Sequence, residues 1–249
     1  MKKQLSLHLA ASAVIFSILA CNTIMNDNLG SNTVRGSGVV VDEDRDINDV
    51  SGVQLAMSGT LHITMGNSDS LRIEAEDNLL QYIQTDVIAG RLVIETRQGI
   101  QLENSRPINY YLTVAKLDAI AISSNGNIQT DDLQSTSFSV AISSSGNATI
   151  SRLIAESISV KISSSGNLEI LGGRVERQTI HISSSGEYRA RDLAAAEANV
   201  SLTSSGTAII RVSDHLSGRL SSSGDVYYIG NPDINVSMTS SGKTVQMNE

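Results

Sequence analysis

The chain has 249 residues, a formal charge of −8, 3% aromatic residues, no tryptophan and a single cysteine. An acidic chain has no electrostatic basis for binding nucleic acid or an anionic lipid surface. One cysteine rules out an intramolecular disulfide.

Residues 1–20 read as a targeting segment: Lys2 and Lys3 precede an apolar run from Leu5 to Leu19 that is too short and too interrupted to span a bilayer. The run ends Ile18-Leu19-Ala20-Cys21, which resembles a bacterial lipobox. Cys21 is then the lipidation site, and lipid on Cys21 is the expected membrane partner, because several acyl chains anchor where one would not. An ordinary secretory signal cleaved elsewhere is the alternative. Loss of Lys2 and Lys3 takes the formal charge from −8 to −10. Residues 21–34 are polar, with Asn, Asp, Gly and Ser, and read as a flexible tether.

Residues 35–115 read as an irregular N-terminal β cap, with a small separate β domain as the alternative. Asp42, Asp44 and Asp46 alternate as in a calcium loop, but Ile47 and Val53 stand where that loop needs glycine and glutamate, so the stretch reads as a solvated turn with Arg45 balancing the acids. Val53 to Met65 alternates apolar and polar around Gly59, as a divergent first coil would. Leu71 to Ala75 is a strand, residues 78–89 hold a short helical turn, and Leu92 to Glu95 is a strand following the Gly90 turn.

Residues 116–249 carry one phrase seven times, from Ser123-Ser124-Asn125-Gly126 to Thr239-Ser240-Ser241-Gly242, with glycines 20, 20, 20, 20, 18 and 18 residues apart. Four residues before each glycine stand Ile122, Ile142, Ile162, Ile182, Leu202, Leu220 and Met238. Apolar residues recur two and four positions after it, a period of two that belongs to strands. A fixed period of this length means stacked units. The expected fold is all-β: a right-handed parallel β-helix of about seven regular coils of 18–20 residues, each a strand, a Ser-Ser-Gly corner, a second strand and a short third side. Parity places the serine two before each glycine inside. The glycine supplies a bend or a left-handed position that a Cβ would oppose.

No capping segment follows Gly242, so the last strand is expected to support weak self-association through the C-terminal edge. His62 and His181 fall on outward positions, and neither they nor Cys21 has metal-ligand spacing, so no metal and no cofactor is expected. Seven equivalent serines without a Gly-x-Ser-x-Gly elbow do not make a nucleophile. The outward residues just after the glycines include Asn127, Asn147, Asn167 and Glu187, a polar ladder. Stacked amides bond along the stack, and they can also bind sugar hydroxyls. Glu187 and Asp225 would lie about 10 Å apart at the strand spacing, with nothing placing a substrate between them. The candidate sugar platforms are Tyr110, Tyr111, Tyr188, Tyr227 and Tyr228.

Three stretches resemble the auto-transporter adhesin, head GIN domain family: Arg45 through Val53, Leu71 through Leu80, and Gly90 through Ile94. The Ser-Ser-Gly repeats share the resemblance, which covers roughly residues 39–249. It implies a β-helical fold and a place in the bacterial cell envelope, secreted or lipid-anchored, and it brings no catalytic motif. The expected protein is a lipid-anchored envelope protein of the outer membrane, a non-catalytic adhesion or binding module whose partner is a glycan or a surface protein. The alternatives are a purely structural envelope lipoprotein and a carbohydrate-active β-helix enzyme.

Overall fold

The computed structural model describes residues 32–239 and 241–248, so the signal segment, Cys21 and most of the tether lie outside the described residues. In the regular part, strand Asn127–Ile142 runs through all three sides of one coil, and strand Asn147–Ile162 lies beside it in parallel. Asn127 pairs with Asn147, Leu133 with Leu153, Val140 with Val160 and Ile142 with Ile162. The sequence period is therefore the period of the stack, and the molecule is a parallel β-helix.

Ile142, Ile162 and Ile182 form one buried file, and Val140, Val160 and Val200 lie in the file beside it. Branched side chains suit this geometry because each meets its like one rung away, about 4.8 Å along the axis. The third side adds Leu133, Leu153 and Leu193 to the core.

The corner needs glycine for room. None of the six glycines Gly126, Gly146, Gly166, Gly186, Gly206 and Gly224 occupies the left-handed region. A Cβ on Gly146 would lie 2.5 Å from the carbonyl oxygen of Gly126 and 2.5 Å from Ile122 Cγ2. The backbones of successive corners thus close to a distance that any side chain would prop open. The serines are correspondingly displaced from the interior: Ser124, Ser144, Ser164 and Ser184 are half-buried at the corner, and the glycine takes the inside position. Ser124 Oγ donates to the Met57 carbonyl at 2.6 Å and accepts from Gly126 N at 3.2 Å.

Residues are dropped on the third side alone when the period falls from 20 to 18. Ala190 still pairs with Ile210, Ala195 pairs with Val212, and Glu197 pairs with His215, with register slips on either side of Ala195.

The cap continues the same sheet, but its rungs are out of chain order. Strands Gly52–Leu55 and Thr60–Met65 pair on one edge with Ala119–Ile122 and Asn127–Ile142. On the other edge they pair, also in parallel, with the later strands Arg91–Thr96 and Asn109–Val114. The stretch from Val53 to Met65 is a rung of the helix, as its alternation predicts, yet it is the second rung in space. Outside it, Ser70–Glu76 and Ile83–Ile88 run antiparallel, and Val40–Arg45 runs antiparallel to Ser70–Glu76. The acid-rich stretch around Asp42 is thus an edge strand and not a turn. Asp42 pairs with Arg72 at 2.9 Å and Glu43 with Arg45 at 2.8 Å. The helical turn expected in 78–89 is a single 3-10 turn, Leu80–Tyr82.

One buried carboxylate ties the cap together. Glu76 accepts from Gly38 N at 2.6 Å, Ser105 N at 2.9 Å, Ser105 Oγ at 2.7 Å and Arg106 N at 3.3 Å. The Ser105 hydroxyl is the largest influence lowering its pKa, against the opposing effect of burial, and the backbone donors add to it. A Cβ on Gly36 would overlap this carboxylate.

Among the described residues no buried carboxylate of this kind stands at the opposite end. Leu216 and Leu220 are fully buried, while their file neighbours Ile234 and Met238 are 50% and 52% exposed.

Candidate functional site

The side that follows the corner is polar, with a shallow cavity of about 240 Å³ lined by Asn147, Asn167, Glu187 and Arg189. Its outermost file holds the four residues singled out by sequence: Asn127 pairs with Asn147, Asn147 with Asn167, and Asn167 with Glu187. Asn167 Nδ2 donates to Asn147 Oδ1 at 2.9 Å, and Asn147 Nδ2 donates to Asn127 Oδ1 at 3.0 Å. The amides are therefore locked in one orientation, with Asn147 giving one bond and accepting one along the file. Asparagine does this because its side chain is donor and acceptor at once. At Glu187 the run of amides stops, though the file continues through Thr207 and Asp225, and Glu187 turns aside to Arg189, 2.7 Å away, whose pKa that contact raises.

The next outward file on this side carries Tyr111 and His62. Their rings stack at 5.2 Å, and the Arg72 guanidinium lies 4.3 Å from the other face of Tyr111. Both faces of Tyr111 are therefore covered, and His62 is a stacking partner rather than a solvated side chain. Tyr110, Tyr188 and Tyr228 are buried, and burial pushes the phenols of Tyr110 and Tyr188 well up, keeping them neutral. Of the tyrosines considered as sugar platforms, Tyr227 alone keeps a half-exposed ring without a stacking partner among the described contacts.

Inside the helix, Tyr188 donates to Gln178 Oε1 at 2.8 Å. Gln178 Nε2 is buried and has no hydrogen-bond partner. This polar pair bridges two walls of an otherwise apolar core.

The concave surface lies on the third side, which sequence reasoning passed over as a short connector. Two cavities of about 780 and 540 Å³ meet there and share Arg174, Val175 and Glu176. Beneath it lies a file of small residues, the half-buried Ala155 and the buried Val175, Ala195 and Val212. One wall carries Arg174 and Arg211, and the other carries Glu156 and Glu176. The floor residues interrupt no alternation and form no motif, so the only signal in the sequence is that bulky residues are missing there. Among the described residues no cluster of His, Cys, Asp and Glu could hold a metal ion, and no helix is long and apolar enough to cross a membrane.

A parallel β-helix with an ordered polar file and a shallow trough is the architecture that the chain shares with a known family. Residues 49–232 match the family model described as "Putative auto-transporter adhesin, head GIN domain", and the chain belongs to that family. Solved structures share the fold, three among them as follows. A protein named a "putative adhesin" from Bacteroides fragilis is 18% identical with a TM-score of 0.80, over 86% of this chain and 100% of that one. A "putative lipid binding protein" from Parabacteroides distasonis is 21% identical with a TM-score of 0.70, over 87% and 100%. A "putative adhesin" from Parabacteroides merdae is 18% identical with a TM-score of 0.67, over 87% and 100%. No curated protein matches the chain significantly.

Proposed function

We propose that this protein is a non-catalytic adhesion module held in the cell envelope at the outer membrane by lipid on Cys21, and that it presents the polar side carrying the asparagine file to a surface glycan. The observation that carries the reading is the hydrogen-bonded file Asn127, Asn147 and Asn167. Amides fixed by one another are preorganised, so a ligand meets donors and acceptors whose ordering is already complete. The change from amides to the Glu187 and Arg189 ion pair gives that surface a polarity along the axis.

The family's description as an adhesin supports this reading. So does the setting of the acidic candidates: Glu187 is engaged by Arg189, and Asp225 accepts from Lys243 N at 3.0 Å. A purely structural lipoprotein is the second reading, favoured by the same file, because each bond made along the stack is one fewer for a ligand.

The mature chain, produced without its lipid, is tested on a glycan array together with Asn147→Ala. Binding by the parent that falls about tenfold in the variant supports adhesion through this side. An array with no hits sinks it and leaves the structural reading. Incorporation of labelled palmitate at Cys21, lost in Cys21→Ser, tests the anchor.

A further inference from the structure

We infer that two copies of this chain join at their C-terminal rungs, strand Asp233–Met238 pairing antiparallel with the same strand of a second copy about a two-fold axis at Val236. The inference concerns the end of the helix and stands or falls apart from the glycan reading of its polar side.

The stack is unfinished here in two ways. Asp233–Met238 pairs with Thr207–Leu220 on one edge, and among the described residues nothing pairs with the other. The inward file is uncovered as well. Ile234 and Met238 are 50% and 52% exposed, and Val236 between them is half-buried against the core. One rung back, Leu216 and Leu220 are fully buried, so one more rung is what these three side chains lack.

Backbone and side chains call for the same register. Leu220 pairs with Met238, and Thr239 N donates to the Leu220 carbonyl at 3.0 Å. Leu220 thus turns its carbonyl toward the next rung, and Thr239 turns its N–H back. Backbone groups alternate along a strand, so Asn235 and Ser237 also face back. Ile234, Val236 and Met238 then hold their N–H and C=O groups toward the open end. These are the same three residues whose side chains belong to the inward files. An antiparallel strand centred on Val236 sets Val236 opposite Val236 and Ile234 opposite Met238, each pair exchanging both N–H···O bonds. A slip of one residue would set inward side chains opposite outward ones. One register therefore satisfies the free backbone groups and covers the core together.

Charge selects the partner. In this register the two Asp233 carboxylates lie at opposite ends of the ribbon, about 20 Å apart at the rise of a strand, each opposite Thr239 of the second copy. The outer strands of the cap carry acids instead: Asp42, Glu43 and Asp44 on Val40–Arg45, and Asp86 on Ile83–Ile88. A head-to-tail contact would set Asp233 against them. The two-fold contact is also closed, because both copies use the same edge, so assembly stops at a dimer. One strand and three apolar side chains from each copy make a small contact, so the dimer is reversible and forms at high concentration.

The test uses the mature chain without its lipid and with Cys21→Ser, so that no disulfide through Cys21 joins the copies. Sedimentation equilibrium up to about 1 mM should fit monomer and dimer with no larger species. Val236→Asp places two carboxylates face to face at the axis and should raise the dimer dissociation constant at least about tenfold. Val236→Pro asks the same without a charge. The N–H it removes points away from the stack, so the monomer keeps its hydrogen bonds while the dimer loses its central pair. It should weaken the dimer by a similar factor, and thermal unfolding at low concentration shows that both variants fold. Oxidation reads the register. Val236→Cys sets two thiols at the axis with Cα atoms about 5.5 Å apart, within disulfide reach, and should give a cross-linked dimer. Asp233→Cys lies at a fully open position but about 20 Å from its copy, and should not. A monomer at every concentration, polymers beyond the dimer, a dimer indifferent to both Val236→Asp and Val236→Pro, or faster cross-linking through Asp233→Cys than through Val236→Cys overturns the inference.

Discussion

The regular stack and the N-terminal cap use the same sheet but obey different rules. In residues 116–249 each inward position meets the same position one coil later, often filled by the same kind of residue, as in the Ile142, Ile162 and Ile182 file, and each coil is specified by its neighbour in sequence. In the cap, neighbours in space come from far apart in the chain: Ser124 reaches Met57 across 67 residues, and Ser51 reaches Gly90 across 39. The stack is held by repetition and the cap by particular contacts, of which Glu76 is the plainest. Damage to the stack should therefore follow from any change that spaces the rungs. Damage to the cap should follow from loss of single polar groups.

The largest effect is expected from Gly166→Val, which places a branched side chain against the Gly146 carbonyl, where even a Cβ would lie at 2.5 Å. Overpacking of this kind should cost roughly 3 kcal/mol or more. Hydrogen exchange should show the amides of the adjoining corners losing protection, while the cap amides keep theirs. A valine tolerated without loss would show that the corner backbone can move apart.

Glu76→Ala should come next and should act on the cap alone. Four hydrogen bonds to the carboxylate disappear, stranding the N–H groups of Gly38, Ser105 and Arg106. Segments 36–38 and 104–106 should exchange freely while the repeats remain protected, and the melting temperature should fall by roughly 5 °C. The same contact has a pH signature. Its folded pKa is lowered from 4.5, so its contribution is fully present above 4.5 and is lost as the pH falls through the lower folded value. Acid should loosen these segments before the stack, and Glu76→Gln should remove that difference. Equal acid sensitivity in cap and repeats would contradict the comparison.

The Tyr188 and Gln178 pair tests whether the stack tolerates a particular contact of the cap's kind. Tyr188→Phe alone leaves the whole Gln178 amide without a partner and should cost about 1–2 kcal/mol. The double variant Tyr188→Phe with Gln178→Met removes the orphaned donor as well, and it should recover that loss in a double-mutant cycle by urea unfolding.

The smallest effect lies at the hairpin between Ile83–Ile88 and Arg91–Thr96. Ala89 and Gly90 both have positive φ, 50° and 78°, as a two-residue turn of this type requires. Alanine is strained there, so Ala89→Asn should stabilise the cap by about 0.5–1 kcal/mol. A shift of the cap transition without any change in the repeats would sharpen the division between the two regions.

These contrasts explain what could be read in the residues. The repeat was legible because Ile142, Ile162 and Ile182 occupy one file and so state the same constraint three times. The rung order in the cap was not, because nothing local to Leu92 or Tyr110 marks them as outer neighbours of Val53 and Leu61. The corner glycine could be read as necessary, but its cause, the approach of one corner to the next, exists only between coils. The trough escaped because its evidence is a shortage of bulk at Ala155, Ala195 and their neighbours, and a shortage has no period. Arg174 and Arg211 stand 37 positions apart in the chain, and only the slip around Ala195 brings them into one line.

The misplaced rung also bears on how the molecule assembles. Strands Gly52–Leu55 and Thr60–Met65 leave the ribosome early, yet both of their edges are taken by segments made later. They behave as the slat onto which the rest is hung from either side. A chain truncated from the carboxyl end would lose rungs one at a time and keep its remaining register. A chain stopped before Tyr110 would hold Thr60–Met65 bare on both flanks and Gly52–Leu55 bare on one, with hydrogen-bonding groups open to any passing strand.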